Sequence, residues 1–137
     1  MTVAPQQEER LPEDVVALLR GANPCFLATV RPDGTPETSE TWADTDGVHV
    51  VLNAVEGLPK VHNVRRDPRV SIAVADARRS GRVVTVRGRV VDVTPVGAVE
   101  HLESLARRYL GRPYPWHRPG QTHLILRIAP TAVHRQG

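Results

Sequence analysis

The apolar positions first keep a helical period near the start of the chain. Val15, Val16, Leu18 and Leu19 fall on one side of a helix. Leu11-Pro12-Glu13-Asp14 opens that helix, because a first-turn proline needs no amide partner and acids suit the positive end of the helix dipole. Gly21 closes it. From residue 24 the period drops to two. Residues 24–31 (PCFLATVR), 35–44 (TPETSETWAD) and 48–53 (VHVVLN) are extended segments. Pro32-Asp33-Gly34 and Asp46-Gly47 separate them, so the spacing predicts an antiparallel meander of three strands.

Beyond Val55 the rhythm changes again. Pro59 starts a short helix through Arg66, and Asp67-Pro68 stops it, since a residue before proline avoids the helical region. Arg69–Ala75 (RVSIAVA) is a strand, residues 77–81 are a polar turn, and residues 82–94 (RVVTVRGRVVDVT) form a long strand that Gly88 interrupts with a bulge or barrel corner. Residues 95–110 give the longest helical pattern, with Val96, Val99, Leu102, Leu105, Ala106 and Tyr109 at three- and four-residue spacing before Gly111. A proline-rich loop (RPYPWHRPG, 112–120) leads to a last strand at 121–129, with a tail from Thr131. Residues 1–10 read as a flexible leader and 11–137 as a single domain. Six strands with few helices can close on themselves and remove their edges, so the expected architecture is mainly β, a six-stranded barrel. Hairpin turns between the first strands argue against a Rossmann arrangement.

Composition supports a sheet protein. The chain has 137 residues, 40% hydrophobic but only 4% aromatic, so the core must be built from Val, Leu, Ile and Ala. The net charge of +3 is spread over scattered residues, and Arg65-Arg66, Arg78-Arg79 and Arg107-Arg108 are the densest basic runs. That pattern suits a small anion better than nucleic acid, which favours a basic stripe. No apolar run approaches a membrane span and the first ten residues are polar, so neither a membrane nor a signal segment is expected and the default location is the cytoplasm. Cys25 is the one cysteine, which excludes an internal disulfide, and its apolar neighbours favour a buried structural thiol.

A self-sufficient catalytic apparatus is not evident. The six histidines show no metal-ligand spacing, Ser39 and Ser80 lack a nucleophile elbow, and no glycine-rich phosphate loop exists. A bound cofactor could carry the chemistry instead. Two segments offer it a grip. Lys60, His62, Arg65 and Arg66 cluster around the helix that begins at Pro59, where free amides and a lysine suit an anion; the same cluster reads equally as a solvated basic face. Glu37-Thr38-Ser39-Glu40-Thr41-Trp42 could line a groove and offer hydroxyls to a polar ring edge, or be an ordinary solvent face. Trp42 is expected in the core with its indole N–H paired. Tyr114, Trp116 and His117 in the rigid loop suit stacking, a dimer contact or a lid over the barrel end.

Four segments together resemble a known family: FLATVRPDGTPETSETWAD (26–44), LPKVHNVRRDPRVSIAV (58–74), VRGRV (86–90) and LARRYLGRPYPWHRPG (105–120). In that order they are similar to the pyridoxamine 5'-phosphate oxidase-like superfamily, and within it to the flavin/deazaflavin oxidoreductases of the B group. The resemblance implies a split β-barrel, a twofold homodimer, and a cofactor between subunits, either coenzyme F420 (a deazaflavin) or FMN. By analogy Lys60 would contact the cofactor phosphate, Thr38, Ser39 and Thr41 the ring edge, and Asn53 and Ala54 the phosphate side. Asn63 and Arg66 would support the pocket, and Trp116 and His117 would come from the partner chain. Many members of the group carry a basic residue two positions before the lysine. Here that position is Leu58, which leaves Lys60 as the direct charge unless Arg65, Arg66 or Arg87 compensates. The implied activity is hydride transfer from F420 to a small conjugated or aromatic substrate. An FMN-dependent oxidase or reductase and a non-catalytic flavin-, haem- or tetrapyrrole-binding protein are the alternatives. The sequence names no catalytic acid or base.

Overall fold

The computed structural model describes residues 9–137, so most of the expected leader lies outside the described residues. The element order is α1 (Glu13–Arg20), β1 (Cys25–Val30), β2 (Pro36–Thr41), β3 (Ala43–Thr45), β4 (Val50–Val55), α2 (Pro59–Arg66), β5 (Arg69–Ala75), β6 (Val83–Thr94), α3 (Ala98–Leu110) and β7 (His123–Gln136). The strands form one sheet in the order β2-β1-β5-β6-β7-β4-β3, and every pairing is antiparallel.

The second extended segment departs from the expected meander. It breaks at Trp42 into β2, which pairs with β1, and β3, which pairs with β4. These halves are the two outer edges of the sheet, yet a single residue separates them in sequence. The sheet must therefore curl until its edges meet at Trp42. The result is the expected barrel architecture with seven strands in place of six.

Inside the barrel the period-two pattern fills the core. β5 turns Val70, Ile72 and Val74 inward, and these join Leu27, Val84, Val86, Leu126 and Ile128. α1 adds Val15, Leu18 and Leu19 to the same cluster. On β4 and β7 burial is nearly continuous, because α3 covers their outer face: Val51 and Ile125 pack with Ala98 outside while Leu52 and Leu126 pack inside. Val96 and Val99, expected on the packed face of that helix, are exposed instead (78% and 49%). The helix begins later than the pattern suggests and turns Leu102, Leu105 and Ala106 inward.

The expected tail is also strand. β7 runs on through Pro130 to Gln136 along the first half of β6. Pro130 stands opposite Gly88 at a register shift, so its missing amide falls where the ladder is already interrupted. Gly88 itself has no room for a side chain, because a Cβ would meet the Ala129 carbonyl oxygen and Ile128 Cγ2. Cys25 is fully buried, and burial pushes its thiol up to about 12, so it is inert at neutral pH. Among the described residues no helix is long and apolar enough to cross a membrane.

Candidate functional site

A cleft of about 240 Å³ opens beside the seam where the sheet edges meet. The seam residues Glu40, Thr41 and Trp42 line one side, and Asn53, Ala54 and Val55 of β4 another. Leu58 and Lys60 enter from the start of α2, Leu102 from α3, Tyr114 and Trp116 from the proline-rich loop, and His123 from the first position of β7. A broader groove of about 810 Å³ lies elsewhere, against residues 9–12, 48–49 and 129–133, and holds none of the residues singled out from the sequence.

Lys60 is half-buried and makes no hydrogen bond or ion pair to any described residue. Burial pushes its ammonium below the ordinary lysine value, and the field of Glu37 opposes that only in part. Glu37 is itself held by Arg31 Nε at 3.3 Å. Lys60 stands second in α2, and Leu58 offers no capping side chain, so the Lys60 amide has no partner from the helix either. An unpaired cation beside a free amide is a site for an anion. The other cations nominated from the sequence do not join it. Arg65 is bound to Glu56 at 2.5 Å, Arg66 donates to the Val30 carbonyl and, at 3.4 Å, to Asn63 Oδ1, and Arg87 is exposed on β6 away from the cleft. The expected compensation for Leu58 is absent from the cleft wall.

Asn53 is held from behind. Its Nδ2 donates to the Ala98 carbonyl at 2.8 Å and faces His101 Nδ1 at 3.3 Å. A carbonyl can only accept, so the amide orientation is fixed. His101 Nδ1 then accepts and its Nε2 carries the proton, facing Asp44 Oδ2 at 3.4 Å. Asp44 also takes Arg108 Nη2 at 2.9 Å, and Arg108 Nη1 donates to the carbonyls of Ala43 (2.8 Å) and Leu19 (3.2 Å). Burial pushes Asp44 up, but the contacts from His101 and Arg108 outweigh it and hold the carboxyl at about 2.

The aromatic wall is continuous. Trp42 stacks on Tyr109 at 5.3 Å, and Tyr114 meets Trp42, Trp116, His117 and His123 edge to face at 4.9–6.1 Å. Trp42 is thus a half-buried cleft residue and not the core residue expected. The loop is clamped by Glu103, which accepts the Tyr114 amide at 3.1 Å and His117 Nε2 at 2.7 Å.

Of the residues nominated from the sequence, the cleft brings together Thr41, Asn53, Ala54, Lys60 and Trp116. Trp116 lines the cleft of its own chain. His117 does not line it but stands behind it, 5.9 Å from the His123 ring. Thr38 and Ser39 lie farther along β2, paired with Ala28 and Leu27, outside the lining. Asn63 is buried and donates to Thr29 Oγ1 at 3.0 Å, and Arg66 reaches β1; both brace α2 without touching the cleft. Sequence reasoning missed Val55, Leu102 and His123. Among the described residues no cluster of His, Cys, Asp and Glu could hold a metal ion.

A family model described as pyridoxamine 5'-phosphate oxidase matches residues 11–137. The chain belongs to the pyridoxamine 5'-phosphate oxidase family. Its curled antiparallel sheet is that family's split barrel, and the cleft is part of a pyridoxamine 5'-phosphate oxidase-like framework. Among solved structures the chain is similar to one described as an F420 reductase, at 31% identity and a TM-score of 0.79, covering 90% of this chain and 98% of that one. It is also similar in fold to a conserved hypothetical protein from Mycobacterium tuberculosis (24% identity, TM-score 0.69, 98% and 89% covered). General Stress Protein 26 from Bacillus anthracis shares the fold as well (16%, 0.68, 90% and 92%). Comparison with curated proteins gave no match.

Proposed function

We propose that the protein is an oxidoreductase that binds coenzyme F420 in the cleft at Lys60 and passes hydride between it and a small conjugated or aromatic substrate, as a homodimer. The observation that carries this is the half-buried Lys60 ammonium, which has no partner among the described residues and lines one cleft with Trp42, Tyr114 and Trp116. A cation at one place and flat apolar surface at another fit a planar ring with a phosphorylated tail. The 31% identity to a structure described as an F420 reductase favours a deazaflavin over FMN.

The fit also bears on assembly. A cleft of about 240 Å³ is smaller than the roughly 300–1,000 Å³ of ordinary ligand pockets, which supports a wall completed by a second copy. Leu58 and Trp116 line it and are 38% and 54% exposed, as expected of surfaces a second copy covers. When bound, the deazaflavin supplies the hydride chemistry. The chain's residues bind and orient: Lys60 and its amide hold the phosphate, Asn53 presents an amide oriented by Ala98 and His101, and the Tyr114–Trp116 loop excludes water from the ring.

The test is titration of the purified chain with F420 and with FMN, followed by fluorescence, with light scattering for mass. Micromolar F420 affinity in a dimer, with substrate-dependent oxidation of reduced F420, supports the reading. A yellow protein that prefers FMN moves the assignment to a flavin enzyme of the same fold. Tight binding without turnover makes the protein a carrier, and a monomer that binds neither cofactor removes the proposal.

A further inference from the structure

One buried polar group in the cleft has no partner. His123 is 7% exposed, lines the cleft, and pairs with Val55 at the start of β7. Its Nδ1 is sealed in the protein without a hydrogen bond, and neither ring nitrogen bonds to another described residue. The ring is held by packing, with Tyr114 at 6.1 Å and His117 at 5.9 Å, both edge to face. Buried polar groups in folded proteins are nearly always satisfied, and an exception points to a ligand, ion or water.

The position of the proton follows from the same geometry. A neutral imidazole carries one N–H. Placed on Nδ1, that hydrogen would be an orphaned donor sealed in the protein, whereas Nε2 still touches solvent. The charged ring would bury the orphaned Nδ1–H and a charge as well. Burial accordingly pushes His123 below the ordinary histidine value, and nearby His117 adds to the effect.

We propose that His123 is a ligand-contacting residue of the cleft, a neutral imidazole whose Nε2–H donates to a carbonyl oxygen of the bound molecule. A neutral imidazole donor polarises a carbonyl without surrendering a proton, a use of histidine known from other enzymes. The inference rests on the oxidoreductase reading, because the carbonyl belongs either to the pyrimidine edge of the cofactor or to a conjugated carbonyl substrate.

The experiment uses the full chain, His123→Phe, which keeps an aromatic ring but no donor, and His123→Gln, which restores an N–H near Nε2. Thermal melts establish that both variants fold. In ¹⁵N-histidine-labelled wild type without ligand, NMR should show the Nε2–H tautomer at pH 7. His123→Phe should lose about two- to tenfold, the worth of one neutral hydrogen bond, and His123→Gln should recover most of it. A loss in F420 affinity assigns the carbonyl to the cofactor. A loss in kcat/KM for 2-cyclohexen-1-one at unchanged F420 affinity assigns it to the substrate. An Nδ1–H tautomer, a protonated ring at pH 7, or a His123→Phe variant equal to wild type in both assays overturns the proposal alone. So does a folded His123→Gln as impaired as His123→Phe. A wild type that binds neither F420 nor FMN overturns the oxidoreductase reading and this contact with it.

Discussion

Replacing Lys60 with methionine should move stability and affinity in opposite directions. Methionine keeps an unbranched stem of similar length and removes the charge. In the protein alone that charge is half-buried and unpaired among the described residues, with Glu37 already engaged by Arg31. Its folded-state pKa is lowered, so between that value and the unfolded lysine value the folded protein binds fewer protons and gains stability as pH rises. Below the folded-state value the cost of the buried ammonium is present in full. Lys60→Met should therefore be at least as stable as wild type at pH 7, with any gain shrinking as pH rises through the folded-state pKa. Cofactor binding should respond in the opposite sense. Loss of one charge-assisted hydrogen bond to a phosphate costs about 1.5–3 kcal/mol, which is about 10- to 150-fold in Kd at roughly 1.4 kcal/mol per decade. Because the cleft wall holds no second strong cation, nothing compensates. Urea unfolding at pH 7 and fluorescence titration with F420 measure the two quantities on one preparation. A variant that is clearly destabilised while binding F420 as tightly as wild type would show that Lys60 serves the fold and not a ligand.

Three further outcomes follow from the packing. Asp44→Asn should lose about 1.5–3 kcal/mol at pH 7, because Arg108 and His101 keep their half-buried positions without the charge they face. Since the Asp44 carboxyl is held at about 2, below its ordinary 3.8, its contribution is intact above the ordinary value and lost as pH falls through the lowered one, so acid unfolding of the variant should lack that part of the pH dependence. Gly88→Ala should cost about 1–3 kcal/mol by urea unfolding, as overpacking against the Ala129 backbone, and a neutral result would mean the β6–β7 crossing yields easily. Glu103→Ala should leave global stability nearly unchanged but raise amide hydrogen exchange across 112–120, since it releases both Tyr114 and His117; unaltered exchange would show that ring packing alone holds the loop.

Local punctuation made much of the fold readable. α2 and β5 begin and end where Pro59 and Asp67-Pro68 place them, because a proline constrains its own amide and the residue before it without regard to tertiary structure. The break at Trp42 was not readable. Residues 35–44 carry no turn signal at Trp42, and the reason for the break, that the barrel seam falls there, is set by strands distant in sequence. Pro130 misled for a related cause. A proline ordinarily demotes a strand, but Gly88 across the ladder supplies the irregularity that accommodates it. In the site, Lys60 was legible from the helix start beside it. His123 was not, because its lack of a partner is a property of the assembled cleft, and no spacing in the sequence reports it.

The cleft and the closure of the barrel share one physical origin. A sheet that ends in two edges must hide their unpaired amides and carbonyls. At this seam the strands do not pair with each other, and α3 bonds to the β3 edge and the loop before β1: Tyr109 Oη donates to the Asn23 carbonyl at 2.8 Å and accepts the Ala43 amide at 3.2 Å, while Arg108 donates to the Ala43 carbonyl. Side chains reach farther than backbone hydrogen bonds do, so an edge closed by side chains stands apart from its neighbour where an edge closed by a ladder would not. That separation leaves space, and the polar groups gathered to satisfy the edges, with Asp44, His101 and Asn53 in a chain behind it, stiffen its wall. A cleft is thus available where the sheet does not complete its own ladder, and Lys60 and His123, which the closure does not use, are among the polar groups left to face whatever enters.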